Sequence, residues 1–218
     1  MKKSSKVYAG AGGVLLVGSL AFTGSLVSAN ADTAPAAQAA PVHLHADLDP
    51  LNNSGARGNS DVLFRGSHAR VDIDAHGLAR NLPHAQHVHF GATARNECPS
   101  APQDDDNGNF RISTSEGAPA YGGIKKSLTT RGDTSPKSAL AVKRFPTTPK
   151  GHEHYNRTIN FASDTVARAV KNGRGVIVIH GIDYNNNGKY DFKSAGKSDL
   201  DPNLPAEATD PALCGVLR

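Results

Sequence analysis

The sequence predicts an all-β domain, a sandwich or barrel, and three observations predict it. Short stretches of alternating polarity recur along the chain, separated by Gly, Pro, Asn and Asp. One later stretch, Val176-Ile177-Val178-Ile179, is continuously apolar, as in a strand buried on both faces. Only one segment has the period and the caps of a helix.

In order, Val42–Leu48 (VHLHADL) alternates cleanly, with its apolar side chains on one face. Asp61–Arg65 and Ala69–Ala75 form the next two candidate strands, joined by a turn at Gly66-Ser67. HAQHVHF, His84–Phe90, follows between Pro83 and Gly91. Asn109–Ser113, Ile124–Thr130, Ala139–Arg144, Tyr155–Phe161, Gly175–His180 and Cys214–Leu217 complete the set. The helix starts at Ser163 or Asp164 as cap, presents Val166, Ala169 and Val170, and closes at Gly173. Four long polar stretches read as loops: Ala92–Asn107, Arg131–Ser138, Thr147–His154 and Asp191–Asp210. In such architectures loops carry function more often than strands do. There is no internal repeat.

Residues 1–31 do not belong to the fold. Lys2, Lys3 and Lys6 precede a nearly uncharged segment, and Ala29-Asn30-Ala31 supplies a small-x-small pattern, predicting a secretory signal peptide cut after Ala31. Residues 32–41 read as a flexible Ala/Pro-rich leader and 42–218 as one domain, with no transmembrane segment. The expected location is secreted, extracellular or associated with the cell envelope. Removing the three leader lysines lowers the formal charge from +4 to +1, which argues against a nucleic-acid partner. No macromolecular partner is legible. In an exported chain Cys98 and Cys214 are expected to be oxidised to one disulfide, with two free thiols as the alternative.

His87 and His89 are two apart, so an extended backbone presents both rings on one face. His180 follows the buried apolar strand and is therefore rigidly held, as a metal ligand must be. Copper and zinc both accept neutral imidazole, and His152 and His154 are candidates for a fourth ligand. His84 lies beside a turn, and His43, His45, His68 and His76 read as surface residues. Asp183-x-Asn185-x-Asn187-Gly188 follows the opening of a calcium loop, and Asp191 could add an oxygen. The glutamate that closes a full loop is absent, since Ser194 stands there, and the alternative is an Asn/Gly-rich turn. Asp104–Gly108 is a looser version, and Arg131-Gly132-Asp133 reads as a turn. No nucleophile elbow or phosphate loop occurs.

LPHAQHVHFG, Leu82–Gly91, resembles the copper/zinc superoxide dismutase strand that carries a His-x-His copper pair after a Leu-Pro turn. Cys98 matches the family's loop cysteine, VIVIHGID its late ligand strand, and Leu213–Leu217 its last strand. The resemblance, scattered from Leu82 to Leu217, implies a Greek-key β-sandwich of the superoxide dismutase-like type with one short helix and long loops. It implies copper at His87, His89 and His180, a Cys98–Cys214 disulfide, and superoxide dismutation. Two positions depart from the family. The loop Cys98–Phe110 has no histidine, so the bridging and zinc ligands lack counterparts and zinc is not expected; Pro211 stands where the family has an anion-guiding arginine. Ala85-x-His87-x-His89-x-Gly91 also resembles secreted chordin-type (CHRD) domain proteins, which implies instead a non-catalytic binding or structural module. A copper buffer stands between the two readings. Ser127–Pro146 is similar to segments of further secreted proteins, with no function attached.

Overall fold

The computed structural model describes residues 40–161 and 164–218. The expected signal peptide, residues 32–39 of the leader, and the candidate cap Ser163 lie outside the described residues. Eight antiparallel strands form the domain: β1 (Val42–Pro50), β2 (Arg57–Arg65), β3 (His68–His76), β4 (Gln86–Phe90), β5 (Gly123–Ser127), β6 (His152–Asn160), β7 (Val176–His180) and β8 (Pro211–Val216). The expected all-β class is therefore what the chain adopts.

The strands make one curled sheet in the order β5-β4-β7-β8-β1-β2-β3-β6. Strand β1 is shared between two halves. It pairs with β2 from Val42 to Leu48, then with β8 through Asp49 and Pro50. Alternation decides which side chains point inward. Leu44, Ala46 and Leu48 of β1 are buried while His43, His45 and Asp47 face out. Val62 and Phe64, Val71 and Ile73, and Tyr155 and Ile159 join them from the first half. Val88, Ile177, Ile179 and Leu213 enter the same core from the second half. Phe64 meets Phe161 edge-on at 5.0 Å between ring centres.

As its apolar run predicts, β7 is buried throughout. Ile177 and Ile179 face the main core, whereas Val176 and Val178 pack with Tyr121 and Cys214 on the opposite face. Since alternate side chains share a face, His87, His89 and His180 belong to that second face, and the polar loops cover it. Cys98 and Cys214 are joined in a disulfide, fastening the loop after β4 to β8. The outer strands β5 and β6 are not hydrogen-bonded to each other. Side chains bridge from β6 instead: Tyr155 Oη donates to Thr129 O at 3.2 Å, and Arg157 donates to Thr129 O and Gly132 O, each at 2.6 Å.

Helices are more numerous than expected: α1 (Ala101–Asp104), α2 (Thr114–Tyr121), α3 (Asp164–Ala169) and α4 (Ala206–Thr209). The expected helix is α3, prolonged by a wide π-type turn that Gly173 closes at φ 74°. Two expected strands are absent. Asn109–Ser113 is held as a turn because the Asp105 carboxylate accepts from Asn109 N at 3.1 Å and Phe110 N at 2.8 Å. Ser113 then caps α2, with its hydroxyl accepting from Glu116 N while the Glu116 carboxylate accepts from Ser113 N. Ala139–Arg144 folds into turns because the Arg144 guanidinium reaches Arg131 O, Asp133 O and Ser138 Oγ. No helix among the described residues is long and apolar enough to cross a membrane.

Candidate metal centre

Strand β4 places His87 and His89 on the loop-covered face, and β7 ends with His180 beside them. The three rings lie 5.3 to 6.1 Å apart, centre to centre. One nitrogen from each falls within 4.8 Å of the others. Register irregularities occur at both places, between Val88 and His89 in the β4–β5 pair and between Ile179 and His180 in the β7–β8 pair. Bulges of this kind re-aim a side chain next to a functional site.

Each imidazole has one nitrogen committed to a backbone carbonyl. His87 Nε2 donates to Ala139 O at 3.2 Å, His89 Nδ1 to Gly122 O at 2.8 Å, and His180 Nδ1 to Thr209 O at 2.6 Å. The other nitrogens, His87 Nδ1, His89 Nε2 and His180 Nε2, are buried without any hydrogen-bond partner. A buried polar atom left unpaired costs about 1–3 kcal/mol, and here three occur in one cluster. A carbonyl on one ring nitrogen fixes the tautomer and leaves a lone pair on the other, as in metal-ligating histidines generally.

The rings are neutral. They are only 2, 2 and 3 % exposed, and this burial drives their pKa values down. His87 falls well below the usual imidazole value, His89 to about 3 and His180 to about 4, and the neighbouring imidazoles depress His87 and His89 further. Neutral imidazole is the metal-binding form. The donor set fits a metal ion, and this buried group could hold one.

A small cavity of about 30 Å³ opens onto His87 and His180, with room for a water molecule. Its rim is apolar: Leu140, Val142 and Leu200 are exposed there, and among the described residues no charged one lines it. Larger surface cavities lie elsewhere and include none of the three histidines. Pro211 is buried in β8, and the nearby Arg111 is spent on Asp210 at 2.6 Å.

His152 and His154 do not join this group. Alternation along β6 turns Glu153 and Tyr155 inward and sends both histidines to the exposed face, where they meet Asp74. His84 is not merely beside a turn. It is fully buried, its Nδ1 donates to His180 O at 2.8 Å, and Tyr190 Oη lies 3.3 Å from its Nε2. It thus positions the backbone of a candidate ligand without being one. Sequence reasoning had no signal for this, nor for the three carbonyls, which any residue type supplies.

Asp183, Asn185, Asn187 and Asp191 do share one exposed turn. Asn187 N donates to Asp183 Oδ1 and Asn185 Oδ1, both at 3.1 Å, Gly188 N to Asp183 Oδ2 at 2.7 Å, and Asn187 Nδ2 to Asp191 Oδ2 at 2.8 Å. Asp105, Asn107 and Asn109 repeat this pattern one residue later than the sequence suggested, because Asp104 is bound to Arg95 at 2.6 Å. Asp133 accepts from Ser135 and Ser138 hydroxyls, so Arg131-Gly132-Asp133 is a turn. The chain matches no protein-family model, and a search of curated proteins gave no match.

Proposed function

We propose that this is an exported copper-binding protein whose His87, His89 and His180 form a superoxide dismutase-like redox centre. The observation that carries the reading is the convergence of three buried imidazole nitrogens without partners, each on a ring fixed from behind by a backbone carbonyl. Copper is favoured over zinc because first-row affinities peak at copper for nitrogen sites, and because no carboxylate or thiolate among the described residues joins the group. The resemblance of Leu82–Gly91 and Val176–Asp183 to the copper/zinc superoxide dismutases supports the same ion. Bound there, copper would supply one-electron chemistry, oxidising one superoxide to dioxygen and reducing another to peroxide. The chain's own contribution is orientation and exclusion. The carbonyls of Ala139, Gly122 and Thr209 aim the rings, His84 steadies the His180 backbone, and the apolar rim limits water.

A second reading is a copper-holding module without turnover, of the chordin-type kind. The uncharged rim and Pro211 favour it, since nothing at the mouth replaces the anion-guiding cation of the resembled enzymes. One experiment separates the two. The secreted chain is loaded with copper, and bound metal and superoxide consumption are measured for the wild type, His89→Ala and His180→Ala. One copper ion fewer per chain in both variants than in the wild type, together with superoxide turnover in the wild type alone, supports the enzyme. The same binding without turnover supports the holder, and absence of copper binding overturns both.

A further inference from the structure

The geometry points to a second, exposed metal site, suited to a borderline divalent cation such as zinc, built by Asp74, His76 and His152 across β3 and β6. Register creates it. His76 lies directly opposite His152, and Asp74 directly opposite His154. Ala75, Glu153 and Tyr155 are buried between them, so all four residues stand on the outer face of the sheet. Residues opposite one another in an antiparallel pair have Cβ atoms about 4.5–5.5 Å apart, close enough for both side chains to reach one ion.

The side chains already converge. Asp74 Oδ1 lies 2.9 Å from His76 Nε2, and Asp74 Oδ2 lies 3.3 Å from His152 Nε2 and 3.5 Å from His154 Nδ1. The His76 and His152 rings stack at 4.2 Å between centres. One ligand atom from each of Asp74, His76 and His152 falls within 4.8 Å of the other two. Exposed ion pairs contribute little to stability because solvent screens them, so the cluster has little effect as a set of His–Asp pairs. As ligands, two imidazoles and a carboxylate form a donor set that zinc accepts, and His154 or water can take the fourth position. The other exposed grouping, His43 and His45 around Asp61, gathers on one carboxylate oxygen, but its ligand atoms do not converge in this way. The site shares no residue with the buried centre, so it stands or falls independently of that reading.

Zinc titration of the secreted chain tests the proposal in two ways. In a His180→Ala background, where the buried group is broken, calorimetry is expected to find a zinc ion per chain. Adding His76→Ala and His152→Ala is expected to weaken that binding about tenfold or more, on the scale of losses at metal sites. In the wild-type chain, which does not depend on His180→Ala folding, zinc is expected to shift the ring resonances of His76 and His152. Affinity unchanged by the double substitution, or shifts confined to His87, His89 and His180, would overturn the proposal.

Discussion

A single carbonyl can decide whether a histidine is a ligand. His89 is aimed by Gly122 O, and Gly122 has φ 82°, a left-handed conformation in which a Cβ would also collide with Gly91 N and Phe90 C. Gly122→Ala is therefore expected to destabilise the fold by about 1–3 kcal/mol. It should also weaken metal binding at the three histidines, as melting and metal titration on the same variant would reveal. Glu153 carries a different signature. It is buried, and that burial outweighs the neighbouring Gln86 side chain and raises its pKa from 4.5 to about 8. The folded state thus holds a proton that the unfolded chain releases earlier. Its stabilising contribution is complete below pH 4.5 and disappears as pH rises towards 8, at roughly 1.4 kcal/mol per unit of displaced pKa. In the metal-free protein, Glu153→Gln is expected to flatten the decline in stability across that interval. Chemical denaturation at several pH values measures it, and an unchanged slope would refute the assignment.

At the scale of elements, the legible parts were those with a strict period. The alternation in Val42–Leu48 and Ala69–Ala75 and the apolar run before His180 each correspond to an observed strand, because burial on a pleated surface depends on side-chain type. Asn109–Ser113 and Ala139–Arg144 have strand-like composition, yet hydrogen bonds from Asp105 and Arg144 override it. Helix α2 has a signal in its sequence, the capping box Ser113-x-x-Glu116, but no apolar period. Ser113→Ala should cost ~1 kcal/mol by removing that cap, seen as a lower midpoint in urea. The effect matters beyond the helix, because α2 ends at Gly122, whose carbonyl orients His89.

For the whole molecule, the candidate site was legible only as a set of three residues in a recognisable order. Its assembly required the strand order that pairs β4 with β7, and a periodic pattern says nothing about strand order. Long-range ties maintain that arrangement. The Cys98–Cys214 disulfide joins residues 116 apart, and replacing both cysteines by serine is expected to remove about 2–5 kcal/mol. Because Cys214 pairs in register with Val178, two residues before His180, the double variant should also bind a metal ion less tightly at the three histidines. The three orienting carbonyls lie at residues 122, 139 and 209, at the end of α2, in the turns after β5 and at the end of α4, three segments far apart in sequence that converge on these rings. An ion seated among the imidazoles would therefore act as a rivet through all three. Amide protons in those segments should exchange more slowly together once it is present, although none of the segments touches the ion itself.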